Sequence, residues 1–113
     1  MMSNREVPES IARLAREFAE GIRELYGERL DKVILFGSYA RGEQHDDSDV
    51  DFLVVLNEES INAFAEISRM SGISAELGLK YNFWISTVPI SINRLLQGEV
   101  ALAINVRKEG IVV

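Results

Sequence analysis

Between Leu35 and Leu56 the chain reads LFGSYARGEQHDDSDVDFLVVL, two apolar runs separated by a turn rich in glycine and acid. The runs, KVILF at Lys32–Phe36 and VDFLVVL at Val50–Leu56, are short and continuous, as expected of strands covered on both faces. Strands so close together in sequence commit the chain to a sheet that helices must cover. A length of 113 residues suffices for one such domain and is too short for two ordinary ones.

The covering helices can be read from period 3.6. From Pro8 to about Tyr26, Ile11, Leu14, Ala15, Phe18, Ile22 and Leu25 line one face, with Arg13, Arg16, Glu17, Glu20 and Glu24 opposite. Pro8 and Glu9 suit a first turn, and Gly27 is a stop. A second helix is expected from about Ser60, its N-cap, to Leu79, with Gly72 to Gly78 a possible break. Asn82–Val88 (NFWISTV) reads as a third strand closed by Pro89. Asn93–Lys108 reads as a helix that Gly98 can split, ended by Gly110, and Ile111–Val113 as a terminal edge strand. The order α-β-β-α-β-α with a short tail implies an α/β domain spanning residues 1–113.

Charge narrows the partners. The formal net charge of -6, with basic residues scattered along the chain, argues against an extended nucleic-acid backbone as partner. A nucleotide held through a cation remains compatible. There is no cysteine, so no disulfide and no thiolate metal site. No apolar leader or membrane-length run is present, and a cytoplasmic protein without membrane association is expected.

The turn carries the candidate chemistry. Gly37 directly follows the first strand, where a missing Cβ lets backbone approach a ligand, and Ser38 can begin a helical turn facing an anion. A plain strand-to-helix turn explains Gly-Ser equally well. Asp49 and Asp51 lie two apart at the mouth of the second strand, and period two puts both carboxylates on one face. Two like charges there are costly unless neutralised, and a divalent oxygen-seeking cation such as Mg²⁺ does that. The alternative is a solvated strand end, which the five apolar residues after Asp51 oppose. His45, Asp46 and Asp47 read as solvated loop residues, Trp84 as core, and Tyr39 as a turn cap or a phosphate contact.

Gly37-Ser38, ten intervening residues containing Arg41, Gly42 and Ser48, then Asp49-Val50-Asp51, resembles the signature of the DNA polymerase β-like nucleotidyltransferases. Within these it is most similar to the minimal nucleotidyltransferase group found beside HEPN-domain partners. The resemblance implies a small mixed β-sheet packed against helices. It implies ATP as substrate, with Gly37, Ser38, Arg41 and Ser48 binding the nucleotide and Asp49 and Asp51 serving as catalytic Mg²⁺ ligands. Arg41 could equally pair with Asp47 or Glu43. It also implies transfer of AMP to a hydroxyl, a tyrosine of a HEPN-type toxin, making this chain the antitoxin, alone or in a homo- or hetero-oligomer.

One departure bears on activity. Active relatives carry a third carboxylate on a later strand, and NFWISTV has none; Asn82 or Ser86 takes its place, while Glu76 falls on the preceding helix. A catalytically weak nucleotide-binding module that neutralises its partner by contact is therefore the alternative. Transfer to a small antibiotic is a third, disfavoured because no further substrate domain is present.

Overall fold

The computed structural model describes residues 7–45, 48–97 and 109–113. The N-terminal stripe folds as α1, Glu9–Tyr26, entered at Pro8, whose φ of -53° is already helical. Ile11, Leu14, Ala15, Phe18 and Ile22 are buried as their spacing predicts, whereas Leu25 is 40% exposed and Tyr26 takes its place in the core. A 3-10 turn, Gly27–Arg29, leads into β1, Leu30–Phe36.

Among the described residues four strands form one mixed sheet in the order β3-β2-β1-β4, with β2 at Val50–Leu56, β3 at Ile85–Ser91 and β4 at Ile111–Val112. β1 runs antiparallel to β2 and to β4, while β2 runs parallel to β3. The alternation of β2 separates two cores. Val50, Phe52, Val54 and Leu56 meet α1 and α3 (Ala63–Tyr81), and Phe18 stacks on Phe52 with ring centroids 4.2 Å apart. Leu53 and Val55 face the other way, with Ile34, Ile90 and Leu95 of α4, Ile92–Gln97.

Several expectations are corrected. Helix α3 is capped by Asn62, not Ser60: the Asn62 Oδ1 accepts from the Ala65 N–H at 3.1 Å, the reach a cap needs. The helix then continues through Gly72 and Gly78 to Tyr81, because buried Glu66, Met70 and Leu77 hold both halves against the core. Packing thereby overrides a propensity cost of about 1 kcal/mol per glycine.

The third strand begins at Ile85, because Asn82 occupies the left-handed region (φ 61°) that ends α3. Pro89 does not close the strand; it pairs with Val54 and the strand runs on to Ser91. The Val50 N–H donates to the Trp84 carbonyl at 2.9 Å, so Trp84 turns its main-chain polar groups toward β2. Along a parallel strand these directions alternate, so Ser86, Val88 and Ile90 also face β2, and Ile85, Thr87 and Pro89 face outward. The donor Pro89 lacks is on the side where β2 needs none.

Helix α4 starts at Ile92, one residue ahead of the expected Asn93, and its expected continuation to Lys108 through Gly98 lies outside the described residues. Ile111 and Val112 form the anticipated edge strand. Among the described residues no helix is long and apolar enough to cross a membrane.

A buried polar cluster joins the two large helices. Glu66, 6% exposed, accepts from the Tyr26 hydroxyl at 2.7 Å and from Arg29 at 3.0 Å, and Arg29 also pairs with Glu58 at 2.9 Å. Burial pushes the Glu66 carboxyl up, but hydrogen bonds from Tyr26 and Arg29 prevail and hold it below the usual carboxylate range. Folding therefore favours its charged form. That contribution is complete above the unfolded-chain value of about 4.3 and disappears as pH falls through the lower folded-state value. Glu66→Ala strands the Tyr26 donor and should cost about 2 kcal/mol in urea unfolding at neutral pH. The difference between variant and native chain should shrink on acidification below about pH 4.

Candidate functional site

Phe36, the last residue of β1, pairs with Asp51 of β2, and the chain then turns away through Gly37 into the four-residue helix α2, Ser38–Arg41. Gly37 has φ 76° and ψ -156°, a combination essentially confined to glycine. Space favours glycine as well: a Cβ at Gly37 would press on the Asp51 carboxylate, which would have to move aside. The turn and the carboxylate are in direct apposition.

Asp51 shares its face of β2 with Leu53 and Val55 and is half-buried, while Asp49 precedes the strand and is exposed. Burial first, then the charge of Asp49, pushes the Asp51 carboxyl above its ordinary value, and Arg41 opposes them. No hydrogen-bond donor among the described residues reaches Asp51. A partly desolvated carboxylate beside a second one, next to a cleared patch of backbone, fits a hard divalent cation. The described residues contain no cluster of three or more His, Cys, Asp or Glu side chains, so the remaining ligands would be water and substrate oxygen, the usual mode for Mg²⁺.

The other candidates are distributed around this pair. Ser38 is half-buried at the start of α2. Arg41 donates from Nε to Glu43 at 2.8 Å and approaches Glu109 at 3.7 Å, while the alternative partner Asp47 lies outside the described residues. The Ser48 hydroxyl accepts from the His45 N–H at 2.7 Å and closes the loop that precedes Asp49. Asp46 and Asp47 lie outside the described residues. His45 is exposed, and Glu76 is exposed on α3. Tyr39 is buried, edge-on to Phe83 at 6.0 Å, so its ring belongs to the core.

Two features go beyond the reading of the sequence, which left Asn82 and Ser86 as alternatives at the place of the third carboxylate. Ser86 is the β3 partner of Asp51, so the strand position flanking the carboxylate on its own face holds a hydroxyl. Trp84, expected in the core, is 81% exposed, since it precedes β3 and its carbonyl pairs with Val50 beside Asp49. Trp84 and Ser86 share a side of the strand by alternation, but the strand they join is set by the sheet as a whole.

The site sits at one end of a mixed sheet, where the glycine turn after β1 meets the carboxylate at the mouth of β2 in an α/β domain. The pattern of the nucleotidyltransferase domain family matches residues 15–113, and the chain belongs to that family. A Methanocaldococcus jannaschii relative, provisionally named a protein adenylyltransferase, is 37% identical over 78 residues, which cover 69% of this chain and 77% of the relative. Protein adenylyltransferase MntA of Thermococcus cleftensis is 38% identical over 73 residues, 64% of this chain and 70% of that one. The fold also matches a solved toxin–antitoxin with AMP-PNP, with a TM-score of 0.56 and 22% identity over 92% of this chain and 69% of that chain.

Gly37→Ala introduces the clashing Cβ and a strained φ, at a cost to stability of about 1–3 kcal/mol. Because the added atom displaces the Asp51 carboxylate, Mg²⁺-nucleotide affinity measured by calorimetry should fall at least about tenfold in the fraction that circular dichroism shows to be folded.

Proposed function

We propose that this chain is a Mg²⁺-dependent adenylyltransferase that moves AMP from ATP to a tyrosine hydroxyl of a HEPN-type toxin in the cytoplasm, and so acts as its antitoxin. The observation that carries the reading is the apposition of Gly37 and Asp51, where a Cβ on the glycine would press on a carboxylate that lies beside Asp49. Protein adenylyltransferase relatives in two archaea support the chemistry, and the toxin–antitoxin neighbour supports a protein partner.

In this reading Gly37 clears space for the outer phosphates and the Ser38 hydroxyl donates to them. Asp49 and Asp51 hold the cation, which when bound neutralises phosphate charge and polarises the α-phosphate. Ser48 keeps the loop before Asp49 closed. Arg41 reaches phosphate by exchanging its exposed Glu43 partner for the anion. The acceptor oxygen bonds to the α-phosphorus, the bond to the bridging oxygen of the β-phosphate breaks, pyrophosphate departs, and the hydroxyl proton passes to water.

Ser86 beside Asp51 favours a second reading, in which the chain binds nucleotide but silences its partner by contact. Incubation with ATP, Mg²⁺ and the HEPN-type partner separates the two. Mass spectrometry should find AMP on the partner with the native chain and none with an Asp49→Ala, Asp51→Ala double variant that still binds it. Neutralisation without ATP and without a mass shift would establish the contact reading. Asp49→Asn and Asp51→Asn should each abolish Mg²⁺-dependent ATP binding, whereas Ser38→Ala should weaken it by about 1 kcal/mol for one lost hydrogen bond.

The absence of a carboxylate at Ser86 has a kinetic consequence. Transfer by the native chain should quicken as pH rises toward the phenol value of about 10, because the acceptor ionises without help. Ser86→Asp supplies a base beside Asp51 and should raise the rate near neutrality, by about 100-fold where general-base catalysis reaches its ordinary strength. A rate indifferent to both pH and this substitution would mean that proton removal does not limit transfer.

A further inference from the structure

The outer edge of β3 has no strand against it among the described residues. Alternation along the strand turns the main-chain N–H and C=O of Ile85 and Thr87 outward, and Pro89 contributes only a carbonyl. Alongside this edge is a groove of about 790 Å³ between β3 and α3. Its helical wall presents Ile67, Ser71, Ala75 and Gly78, small enough along most of its length to leave room for side chains. Leu79 and Trp84, 86% and 81% exposed, stand over the groove. The groove runs past Ser86, the strand partner of Asp51, so the edge lies one strand away from the carboxylates, which face the opposite side of the sheet from the groove.

We infer that this groove docks an extended segment of the acceptor protein, which adds to the edge of β3 as a short strand and presents its hydroxyl residue at Ser86. Outward pairs of N–H and C=O groups offer a template for a main-chain partner, and an extended peptide matches their spacing in a way a nucleobase cannot. Alternate side chains of such a peptide would enter the groove against Ile67 and Leu79 or lie across Trp84. Pro89 limits the edge to the two rungs nearest the carboxylates, which fixes where the segment can pair. The apolar walls hold the segment, and its polar main chain sets its register. The inference rests on the adenylyl-transfer reading of the same site and supplies the means by which the acceptor is held there.

Hydrogen exchange tests it separately from chemistry. The native chain is loaded with Mg²⁺ and α,β-methylene ATP, which cannot release AMP, and the HEPN-type partner is added. The amides of Ile85 and Thr87 should slow at least tenfold, while that of Ser86, already paired with β2, changes little. Thr87→Pro removes one outward donor in the way Pro89 already does, without touching the β2 ladder, and Ala75→Arg fills the groove from an exposed helical position. Both should bind Mg²⁺-ATP as the native chain does and raise the KM for the acceptor at least tenfold with kcat little changed. Fast exchange at Ile85 and Thr87 in the complex, together with native kinetics in both variants, would overturn the docking assignment. Loss of ATP affinity in both variants would assign the groove to the nucleoside, and protection that grows with the chain's own concentration would assign it to a second copy; either overturns the inference. Transfer that fails in the native chain while these amides are protected would count against the chemistry and leave the docking site standing.

Discussion

The antiparallel register of β1 on β2 sets Phe36 opposite Asp51, and the site follows from that pairing. Gly37 is the next residue, so the departing backbone must pass the carboxylate. The register is held by buried pairs, Val33 with Val54 and Leu35 with Phe52, the latter also stacked on Phe18. A slip of one residue would turn Asp51 into the face packed by α1 and α3 and bring Phe52 out of it. The apolar core and the placement of two charges are therefore enforced by the same contacts, and neither can be altered alone.

Two carboxylates with restricted access to water are treated in opposite ways. Glu66 is surrounded by donors from Tyr26 and Arg29, with Arg69 at 3.3 Å, and is held in its charged form. Asp51 meets no donor among the described residues and faces a second acid, so its proton is held more tightly. The first arrangement ties α1 to α3 and resembles the satisfied polar clusters of ordinary interiors. The second leaves a half-buried carboxylate beside another acid at a surface opening, the kind of perturbed group that gathers at functional sites.

Much of this was legible in the sequence, for reasons that also mark where legibility ended. α1, β1 and β2 were readable because their burial follows one period over a sufficient length. Gly37, Ser38, Asp49 and Asp51 could be singled out by spacing, but the apposition of Gly37 with Asp51 depends on a register that spacing alone does not set. Helix α3 departs from expectation at its start, where Asn62 outcompetes Ser60 by its reach to Ala65, and in its middle, where two glycines are overruled by packing. Pro89 and Trp84 depart from expectation for a shared reason. Both depend on β3 being an outer strand, and the order of strands is a property of the whole sheet that no local window contains.

Pro89 also bears on the life of the chain between encounters. An outer strand with apolar neighbours is a template on which identical chains can stack edge to edge, the first step toward insoluble fibres. With a donor missing after two outward residues, a second copy would find the ladder interrupted before a run of hydrogen bonds could form. Replacing Pro89 would lengthen the exposed template without disturbing the interior ladder, so the ring at this position acts as a guard against polymerisation as well as a tolerated irregularity.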